Sequence, residues 1–284
     1  MPFLSPKMLC RRHGLTPNTA LGQHFLVHPD QARRLVVALE LEGTETVVEI
    51  GAGLGGLTVF LAAAAPRVVT LEVDARLVDL LRHETLAELP NVQVVRQDAL
   101  KFDFVGLSQE VGRPLAIIGN LPYQITSPLL FKFLHDKPAV GIMVLMVQLE
   151  VGQRLLAKPG NKDYGILSVL LQYHFHLERL FTLGPQNFYP PPKVDSVVLR
   201  FRPRQPEICA RSEEGLIQVV KAAFATRRKT LKNSLTAQAA RWQITPARLL
   251  TMLQNLDIDP NRRPETLTVW EYVRLSNALG ENLS

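Results

Sequence analysis

The feature that most constrains the fold of this chain is an alternation of short apolar runs with helix-forming segments between about residues 46 and 202. Near-continuous strands of Val, Ile and Leu separated by helices are typical of a parallel sheet that is covered on both faces. The last two runs are joined by a proline-rich link, so we expect the sheet to end in an antiparallel pair. The predicted strands are residues 46–50, 68–73, 92–95, 115–119, 142–147, 177–183 and 194–202.

Beyond residue 206 the sequence predicts helices only. Apolar residues recur there at spacings of three, four and seven, which indicates a stripe along one side of a helix. Lys221, Arg228 and Lys232 are predicted to share one face beside that stripe. The stripe consists of Ile217, Val220, Phe224, Leu231 and Leu235.

Two capping signals predict further helix starts in the same region. Thr245 precedes a proline, and Thr268 stands three residues before Glu271, as in a capping box. We therefore divide the chain into an N-terminal segment 1–21, an α/β domain 22–206 and a small helical domain 207–284.

Composition excludes several classes of protein. The chain has 284 residues, of which 46% are hydrophobic and 20% charged, so it can bury a sizeable core and is not disordered. Cys10 and Cys209 match no metal-ligand spacing, which argues against a disulfide framework or a structural zinc site and favours a reducing, cytoplasmic location. The purest apolar run, 142–147, is too short to span a bilayer, so we expect neither a membrane nor a secreted protein. Residues 1–29 lack Asp and Glu, which leaves import into an organelle as an alternative.

The net charge of +6 is concentrated in one region. Residues 200–248 contain eleven basic and three acidic residues, a balance of +8, while the rest of the chain is slightly acidic. Regional basicity is the pattern expected when one face meets a polyanion such as a nucleic acid. A solvated helix face with its counter-charges elsewhere in space would give the same pattern, so both interpretations stay open.

A glycine-rich turn, residues 49–56, lies between the first predicted strand and a helix. Glycines at such a turn let the backbone approach a nucleoside, and Glu72 at the end of the second strand is placed to accept hydrogen bonds from ribose hydroxyls. Gly51, Gly53 and Gly56 also satisfy the dinucleotide pattern GxGxxG. Glu49 would repel a pyrophosphate and attract an ammonium group, and Asp98 after the third strand could receive an adenine amino group. S-adenosylmethionine therefore suits this set better than a dinucleotide.

Several motifs together resemble those of the ribosomal RNA adenine dimethyltransferases in order and spacing, over about residues 20–280. The chain is most similar to the housekeeping branch, which dimethylates two adjacent adenosines in a hairpin loop near the 3′ end of small-subunit (16S) rRNA. One departure is His24, where the family usually has Asn. The matching motifs are Gly-Gln-His-Phe-Leu at 22–26, the glycine-rich turn at 49–55, Glu72, Asp98-Ala99, Asn-Leu-Pro-Tyr at 120–123 and the proline-rich stretch 188–196.

The resemblance implies a catalytic pocket that orients an adenine amine, which is a poor nucleophile because its lone pair is delocalised into the ring. The side-chain oxygen of Asn120 and the carbonyl of Leu121 can accept both amine hydrogens. Pro122 fixes the local backbone. Tyr123 offers a ring for stacking, and Phe188 could cover the opposite face of the base. The base must leave its helical stack, so an adenosine in a loop is the economical substrate.

The resemblance further implies a class I methyltransferase that uses S-adenosylmethionine and no metal ion, acts on the small-subunit rRNA or its precursor particle, and is a monomer. The implied cofactor-binding residues are His24, Leu26, Gly51, Gly53, Glu72, Asp98 and Asn120. The implied RNA-binding residues are Arg227, Arg228, Lys229 and Lys232, whose charges would meet phosphates.

Two other functions remain possible at this point. The antibiotic-resistance branch methylates one adenosine of large-subunit rRNA, but it more often has Ile where this chain has Leu121. A non-catalytic nucleic-acid-binding relative would keep the fold and not the activity. The intact motif at 120–123 argues against lost catalysis and does not exclude an added binding role.

Overall fold

The computed structural model describes residues 4–226 and 229–280. The chain forms two compact units, described separately here. The first contains the residues up to Gly152 together with His176–Pro203, and the second contains Gln153–Phe175 and the residues from Arg204 onward. The sequence analysis divides the chain after residue 206, close to the second crossing, and assigns residues 153–175 to the α/β domain. In the structure that segment instead packs with the C-terminal helices.

The first unit is built on a seven-stranded sheet. Its strands are β2 (Thr46–Ile50), β3 (Arg67–Glu72), β4 (Val92–Arg96), β5 (Leu115–Asn120), β6 (Val140–Gln148), β7 (Phe175–Leu183) and β9 (Ser196–Pro203). A separate antiparallel pair joins β1 (Phe25–Leu26) to β8 (Phe188–Tyr189). The helices that begin in this unit are α1 (Pro6–Arg12), α2 (Pro29–Val37), α3 (Thr58–Ala64), α4 (Ala75–Leu80, continued by a π-helical turn Leu81–Thr85), α5 (Phe104–Val111), α6 (Thr126–His135) and α7 (Leu149–Leu156).

The strand order of the sheet is β4-β3-β2-β5-β6-β9-β7. Strands β2 to β6 pair in parallel, and β9 pairs antiparallel with β6. The predicted mostly parallel sheet with antiparallel strands at its end is therefore confirmed. From β2 the chain moves outward through β3 and β4, and it then returns to the other side of β2 with β5. Ligands bind α/β sheets at such a reversal, beyond the carboxyl ends of the strands.

The central strands are apolar because both faces of the sheet are covered. Every residue of β2 is buried, as are all residues of β5 except Asn120 at its end. The core on one face includes Leu35, Leu61 and Phe188. Polar side chains at the carboxyl ends of these strands therefore lie on a rigid, dry scaffold.

The second unit is helical apart from the first residue of β7. Its complete helices are α8 (Ile166–His174), α9 (Glu213–Phe224), α10 (Leu231–Thr236), α11 (Pro246–Asn255) and α12 (Val269–Leu279). Helix α8 packs against α9 and α12, which explains why residues 153–175 belong to this unit.

The predicted capping signals of the helical unit are confirmed. The Thr245 hydroxyl accepts the N–H of Arg248, with Pro246 in the first turn of α11. Thr268 and Glu271 form the capping box that starts α12.

The single long stripe predicted from Ile217 to Leu235 is wrong. Helix α9 ends at Phe224, and α10 begins after Thr230, whose hydroxyl accepts the N–H of Asn233. Lys221 and Lys232 are therefore on different helices, and Arg228 lies outside the described residues. The spacing was compatible with one helix because apolar residues on both sides of the break face a common core. Within the part of the chain that the structure describes, no helix is long and apolar enough to cross a bilayer.

Candidate active site

The glycine-rich turn after β2 forms one wall of the site. Gly51, Gly53 and Gly55 have φ values of +77°, +57° and +81°, in the left-handed region that side chains rarely adopt. A Cβ on Gly53 would lie 2.8 Å from the ring of Phe25, so this turn also requires glycine for space. The result is a backbone cradle at the carboxyl end of the central strand.

Two adjoining cavities open over this turn. The first extends under the N-terminal helix α1, where Leu4, Pro6 and Leu9 line it. The second extends along the ends of β3 and β4. Both are lined by His24, Phe25, Gly51, Gly53 and Asn120.

Glu72, at the end of β3, lines the second cavity with a buried carboxylate. One oxygen accepts the N–H of Gly53 at 2.9 Å, and the other accepts the N–H groups of Val73 and Asp74 at 2.8 and 3.0 Å. Burial raises the pKa of Glu72, although these three hydrogen bonds act in the opposite direction. A carboxylate has about four acceptor positions, so one remains for a ribose hydroxyl.

Asp98 follows β4 and lines the same cavity. Its Oδ1 accepts the N–H of Leu100 at 2.9 Å and caps the short 3₁₀ turn Ala99–Lys101. This bond fixes the carboxylate and leaves Oδ2 able to accept an amino group. The structure thus brings Glu72 and Asp98 to one cavity, as the sequence analysis expected.

Glu49 lines the first cavity, but its carboxyl group is almost fully buried. Its Oε2 accepts the hydroxyls of Thr58 and Thr70 at 2.6 and 2.8 Å. Burial raises the pKa of Glu49 to about 7, and the charge of Glu72 adds to this effect. The sequence analysis expected a charged carboxylate that attracts an ammonium group. With a pKa of about 7, this carboxyl group is instead largely protonated below neutral pH.

Asn120 ends β5 and lines both cavities. Its side-chain amide nitrogen donates to the main-chain carbonyl of His24 at 2.8 Å. The ring of His24 in turn bonds through Nδ1 to the carbonyl of Pro190 at 2.7 Å, which requires a proton on Nδ1 because a carbonyl can only accept. The same ring stacks on Tyr123, with centroids 6.0 Å apart. His24 therefore connects the motif at 120–123 to the proline-rich stretch.

The residues after Asn120 are held from two sides. The N–H of Leu121 donates to the carbonyl of Met146, which anchors the motif to β6. Pro122 lies against Gly22, where a Cβ would come within 2.9 Å of the proline Cβ. Gly22 also has φ +68°, so a side chain there is disfavoured twice. The Tyr123 hydroxyl is 3.5 Å from the hydroxyl of Ser196.

Leu26 and Phe188 face each other in the β1–β8 pair. Leu26 lines the first cavity. Phe188 is 4% exposed, belongs to the apolar core and lines neither cavity, so the structure does not bring it to the site as the sequence analysis expected. The proline-rich stretch contains the short strand β8, which the sequence did not predict. Its pairing with β1 turns the ring of Phe188 toward the core.

Sequence reasoning missed two contributors to the site. Gln23 accepts the N–H of Asn18 and donates to Asp74, which ties the turn before β1 to the end of β3. The Arg76 side chain, which hydrogen-bonds Asp74, lowers the pKa of that carboxyl group to about 2. The other contributor is α1. Its periodic apolar residues Pro6 and Leu9 were a signal that this segment packs on the body of the protein.

Of the four expected RNA-binding residues, Arg227 and Arg228 lie outside the described residues. Lys229 and Lys232 are exposed in the helical unit. The N–H of Lys232 donates to the carbonyl of Pro260, so the first turn of α10 is held against the segment before residue 262.

The residues of the two cavities fit S-adenosylmethionine. The glycine cradle excludes side chains, Glu72 retains an acceptor for ribose, and Asp98 retains one for an adenine amino group. Among residues 4–226 and 229–280, no three His, Cys, Asp or Glu side chains are grouped so that they could hold a metal ion.

Comparisons with known proteins give a consistent result. The family model described as ribosomal RNA adenine dimethylase matches residues 14–279. Ribosomal RNA small subunit methyltransferase A of Myxococcus xanthus is 44% identical over 278 residues, covering 97% of this chain and 95% of that protein. The protein of the same name from Enterococcus faecalis is 40% identical over 280 residues, covering 97% of this chain and 95% of that protein.

Solved structures with similar folds include a dimethyladenosine transferase and a 23S rRNA methyltransferase. A dimethyladenosine transferase from Plasmodium falciparum has a TM-score of 0.75 at 26% identity, covering 89% of this chain and 96% of its own. The 23S rRNA methyltransferase ErmE has a TM-score of 0.67 at 27% identity, covering 90% and 99%. Because the family model spans nearly the whole chain and agrees with the geometry of the site, this chain belongs to the ribosomal RNA adenine dimethylase family.

Proposed function

We propose that this protein transfers methyl groups from S-adenosylmethionine to the N6 atoms of two adjacent adenosines in a hairpin loop near the 3′ end of small-subunit (16S) rRNA. The observation that carries the chemistry is the fixed amide of Asn120 beside the cavities of the glycine cradle. The substrate assignment rests on relatives 40–44% identical that are named small subunit methyltransferases. The reaction serves biogenesis of the small ribosomal subunit.

The cofactor would lie across the two cavities. Glu72 would accept a ribose hydroxyl, Asp98 the adenine amino group, and the cradle of Gly51 and Gly53 would pass close to the nucleoside. His24 and Leu26 would form the remaining wall. When bound, S-adenosylmethionine supplies an electrophilic methyl group on a sulfonium centre.

The protein's part in the transfer is to position the amine. Because the amide nitrogen of Asn120 donates to His24, its Oδ1 is the atom available to accept a hydrogen from the adenine amine. The carbonyl of Leu121 would accept the second hydrogen, which directs the nitrogen lone pair at the methyl group. The methylated nitrogen is acidic and releases its proton to water or to one of these acceptors. The methyl transfer therefore requires no separate general base.

Tyr123 would be the aromatic contact of the target base, although its ring lies against His24 and lines neither cavity. It is partly exposed and follows Asn120 by three residues. Phe188 would reach the base only if the β1–β8 pair opened, because its ring lies in the core. Flipping a loop adenosine into the pocket costs less than flipping a paired one, and stacking on Tyr123 offsets part of that cost.

RNA affinity would come from the helical unit. The exposed Lys229 and Lys232, together with Arg227 and Arg228, would contact phosphates and so set orientation without reading sequence. This division assigns chemistry to one unit and RNA affinity to the other. A cytoplasmic monomer is part of the same proposal, supported by full-length similarity to bacterial proteins.

The second candidate is methylation of large-subunit rRNA, favoured by the similarity to ErmE. Purified protein should be offered under-methylated small subunits and large-subunit RNA with labelled cofactor, and the modified nucleotides mapped. We expect label in dimethyladenosine at two adjacent positions of small-subunit rRNA and none with an Asn120→Ala variant. Label confined to large-subunit RNA would select the second candidate. RNA binding without transfer, under conditions in which a known dimethyltransferase works, would refute both enzymatic functions.

A further inference from the structure

Helix α1 presents an unusual surface beside the first cavity. Leu9 and Cys10 on its inner side pack with Phe25, Leu54 and Leu77. Arg12 and His13 at its end contact the two oxygens of Glu84 at 3.0 Å each. The helix is therefore anchored by apolar packing and by its contacts with Glu84, and its outer side is held in a defined position.

The outer side of α1 combines free cations with exposed apolar groups. Lys7 and Arg11 are exposed, stand one helical turn apart, and have no acidic partner within the described residues. Met8 on the helix is 71% exposed, and Leu4, two residues before the helix begins, is 41% exposed. We call these four residues the α1 strip. No acidic residue occurs before Asp30, so neighbouring sequence does not neutralise the strip.

The α1 strip is continuous with the cofactor cavity. A shallow groove along the strip is lined by Leu4, Met8, Leu9 and Arg11, and the first cavity is lined by Leu4 and Leu9 as well. Anything that occupies the groove therefore lies beside the chamber in which the proposed reaction takes place.

We propose that the α1 strip binds the single strand of RNA that flanks the target adenosine. This inference rests on the proposed function, since it assumes that the cavity receives an RNA base. Lys7 and Arg11 are about 6 Å apart at their Cβ atoms, as residues at i and i+4 are, and each can contact one phosphate. Met8 and Leu4 offer an apolar surface to a neighbouring base that is unstacked when the target adenosine is flipped.

An RNA strand fits this surface better than an anionic membrane. One exposed apolar side chain on a helix of seven residues and one just before it provide little area to insert into lipid, whereas interfacial membrane helices present a long apolar face. The cations and apolar groups alternate along one strip, which matches the alternation of phosphates and bases in a single strand. The strip would therefore give the catalytic unit an RNA-binding surface of its own.

Equilibrium binding of a hairpin RNA that contains the 3′-end loop of small-subunit rRNA tests the proposal, over a series of salt concentrations and without cofactor. In the Lys7→Gln/Arg11→Gln variant we expect binding to weaken about tenfold near 0.1 M salt. The slope of log K against log salt should decrease by about 1.4, the value for two phosphate contacts on a single strand. Met8→Gln should weaken binding about fivefold with the slope unchanged, because it removes apolar contact and no charge.

The matched control removes two positive charges at the amino ends of the strands, away from the cavities at their carboxyl ends. Arg67 begins β3 and Arg113 precedes β5, so Arg67→Gln/Arg113→Gln lowers the net charge equally at the amino ends of the strands. It should leave RNA affinity within about twofold of wild type. Affinity of the wild type and both double variants for S-adenosylmethionine, measured by calorimetry, should be the same.

Three results would overturn the proposal. The α1 variant could bind RNA like the control, it could lose cofactor affinity in proportion to RNA affinity, or wild-type protein could bind phosphatidylserine vesicles as tightly as the hairpin. Because RNA binding is measured without methyl transfer, the outcome is separable from the proposed function. A protein that binds RNA through the strip and transfers no methyl group would refute the proposed function alone.

Discussion

The side-chain amide nitrogen of Asn120 donates to the main-chain carbonyl of His24 at 2.8 Å, and this bond determines which end of the amide faces the cavity. The acceptor is the main-chain carbonyl of His24, the residue before β1. This hydrogen bond therefore does not depend on the side chain at position 24. The ring of His24 adds a second connection, to the carbonyl of Pro190. The amide is therefore oriented before any substrate arrives.

Asn120→Asp keeps an acceptor oxygen and removes the donor to His24. Two carboxylate oxygens would then face a carbonyl or the substrate without a fixed orientation, so we expect kcat for methyl transfer to fall about 10²- to 10³-fold. Single-turnover assays with saturating RNA and cofactor measure this, and calorimetry should show cofactor affinity within several-fold of wild type. An equal loss of cofactor affinity would place the role of Asn120 in binding instead.

Substitution of Tyr123 separates stacking from hydrogen bonding. Its hydroxyl makes only a long contact to Ser196 at 3.5 Å, so Tyr123→Phe should retain most activity. Tyr123→Ala removes the ring, and we expect kcat/KM for RNA to fall about 10- to 100-fold, as for loss of one base–aromatic stack. Steady-state assays over RNA concentration distinguish the two variants. Equal activities for the Phe and Ala variants would contradict a stacking role.

Gly22→Ala should disturb the motif at 120–123 from outside it. The new Cβ would lie 2.9 Å from Pro122 in a residue with φ +68°, so strain and overpacking together should lower the free energy of unfolding by about 2–4 kcal/mol. Gly112→Ala is the control, because Gly112 has φ +69° and open space around its Cβ position. That variant should lose about 1 kcal/mol and keep full transfer activity. Urea unfolding and transfer assays measure both effects.

Glu49 should make stability depend on pH. Its folded-state pKa of about 7 exceeds its ordinary value of 4.5, so the folded protein holds a proton that the unfolded chain releases. The free energy of unfolding should therefore fall as pH rises from about 4.5 to 7, by about 3 kcal/mol from this group. Urea unfolding of cofactor-free protein at pH 5 and 7.5, compared with Glu49→Gln, measures the effect. The Glu49→Gln variant should show a smaller decrease in the free energy of unfolding between these two pH values. Identical pH dependence of the two proteins would refute this role of Glu49.

The sequence predicted the seven-stranded sheet more accurately than the short strands β1 and β8 and the helix ends. Residues 46–50 form a strand with the predicted bounds. Each of them is buried, and a short run of this kind before a turn is typical of a buried strand. Strands β1 and β8 were missed, since two-residue strands carry no periodicity and pair across more than 160 residues of chain. The break between α9 and α10 was also missed, because apolar spacing does not record where a helix ends.

The candidate site divides in the same way. Glu72, Asp98 and Asn120 lie at or just after the carboxyl ends of predicted strands, so parallel topology alone brings them to one edge. The depth of Phe188 and the threonine partners of Glu49 depend on packing between distant segments, which no local pattern encodes. Motif order thus locates polar groups at strand ends more reliably than it orients aromatic rings on loops.

The position of β9 in the sheet has a consequence for synthesis. This strand lies between β6 and β7, although it leaves the ribosome after both. Until Ser196–Pro203 has been translated, the apolar strand β6 presents an unpaired edge, and β7 has no neighbour in the sheet. The partner of β1 is also made late. A nascent chain therefore completes this sheet only after Pro203, about seven-tenths of its length, has emerged, and shorter products would expose an edge prone to aggregation.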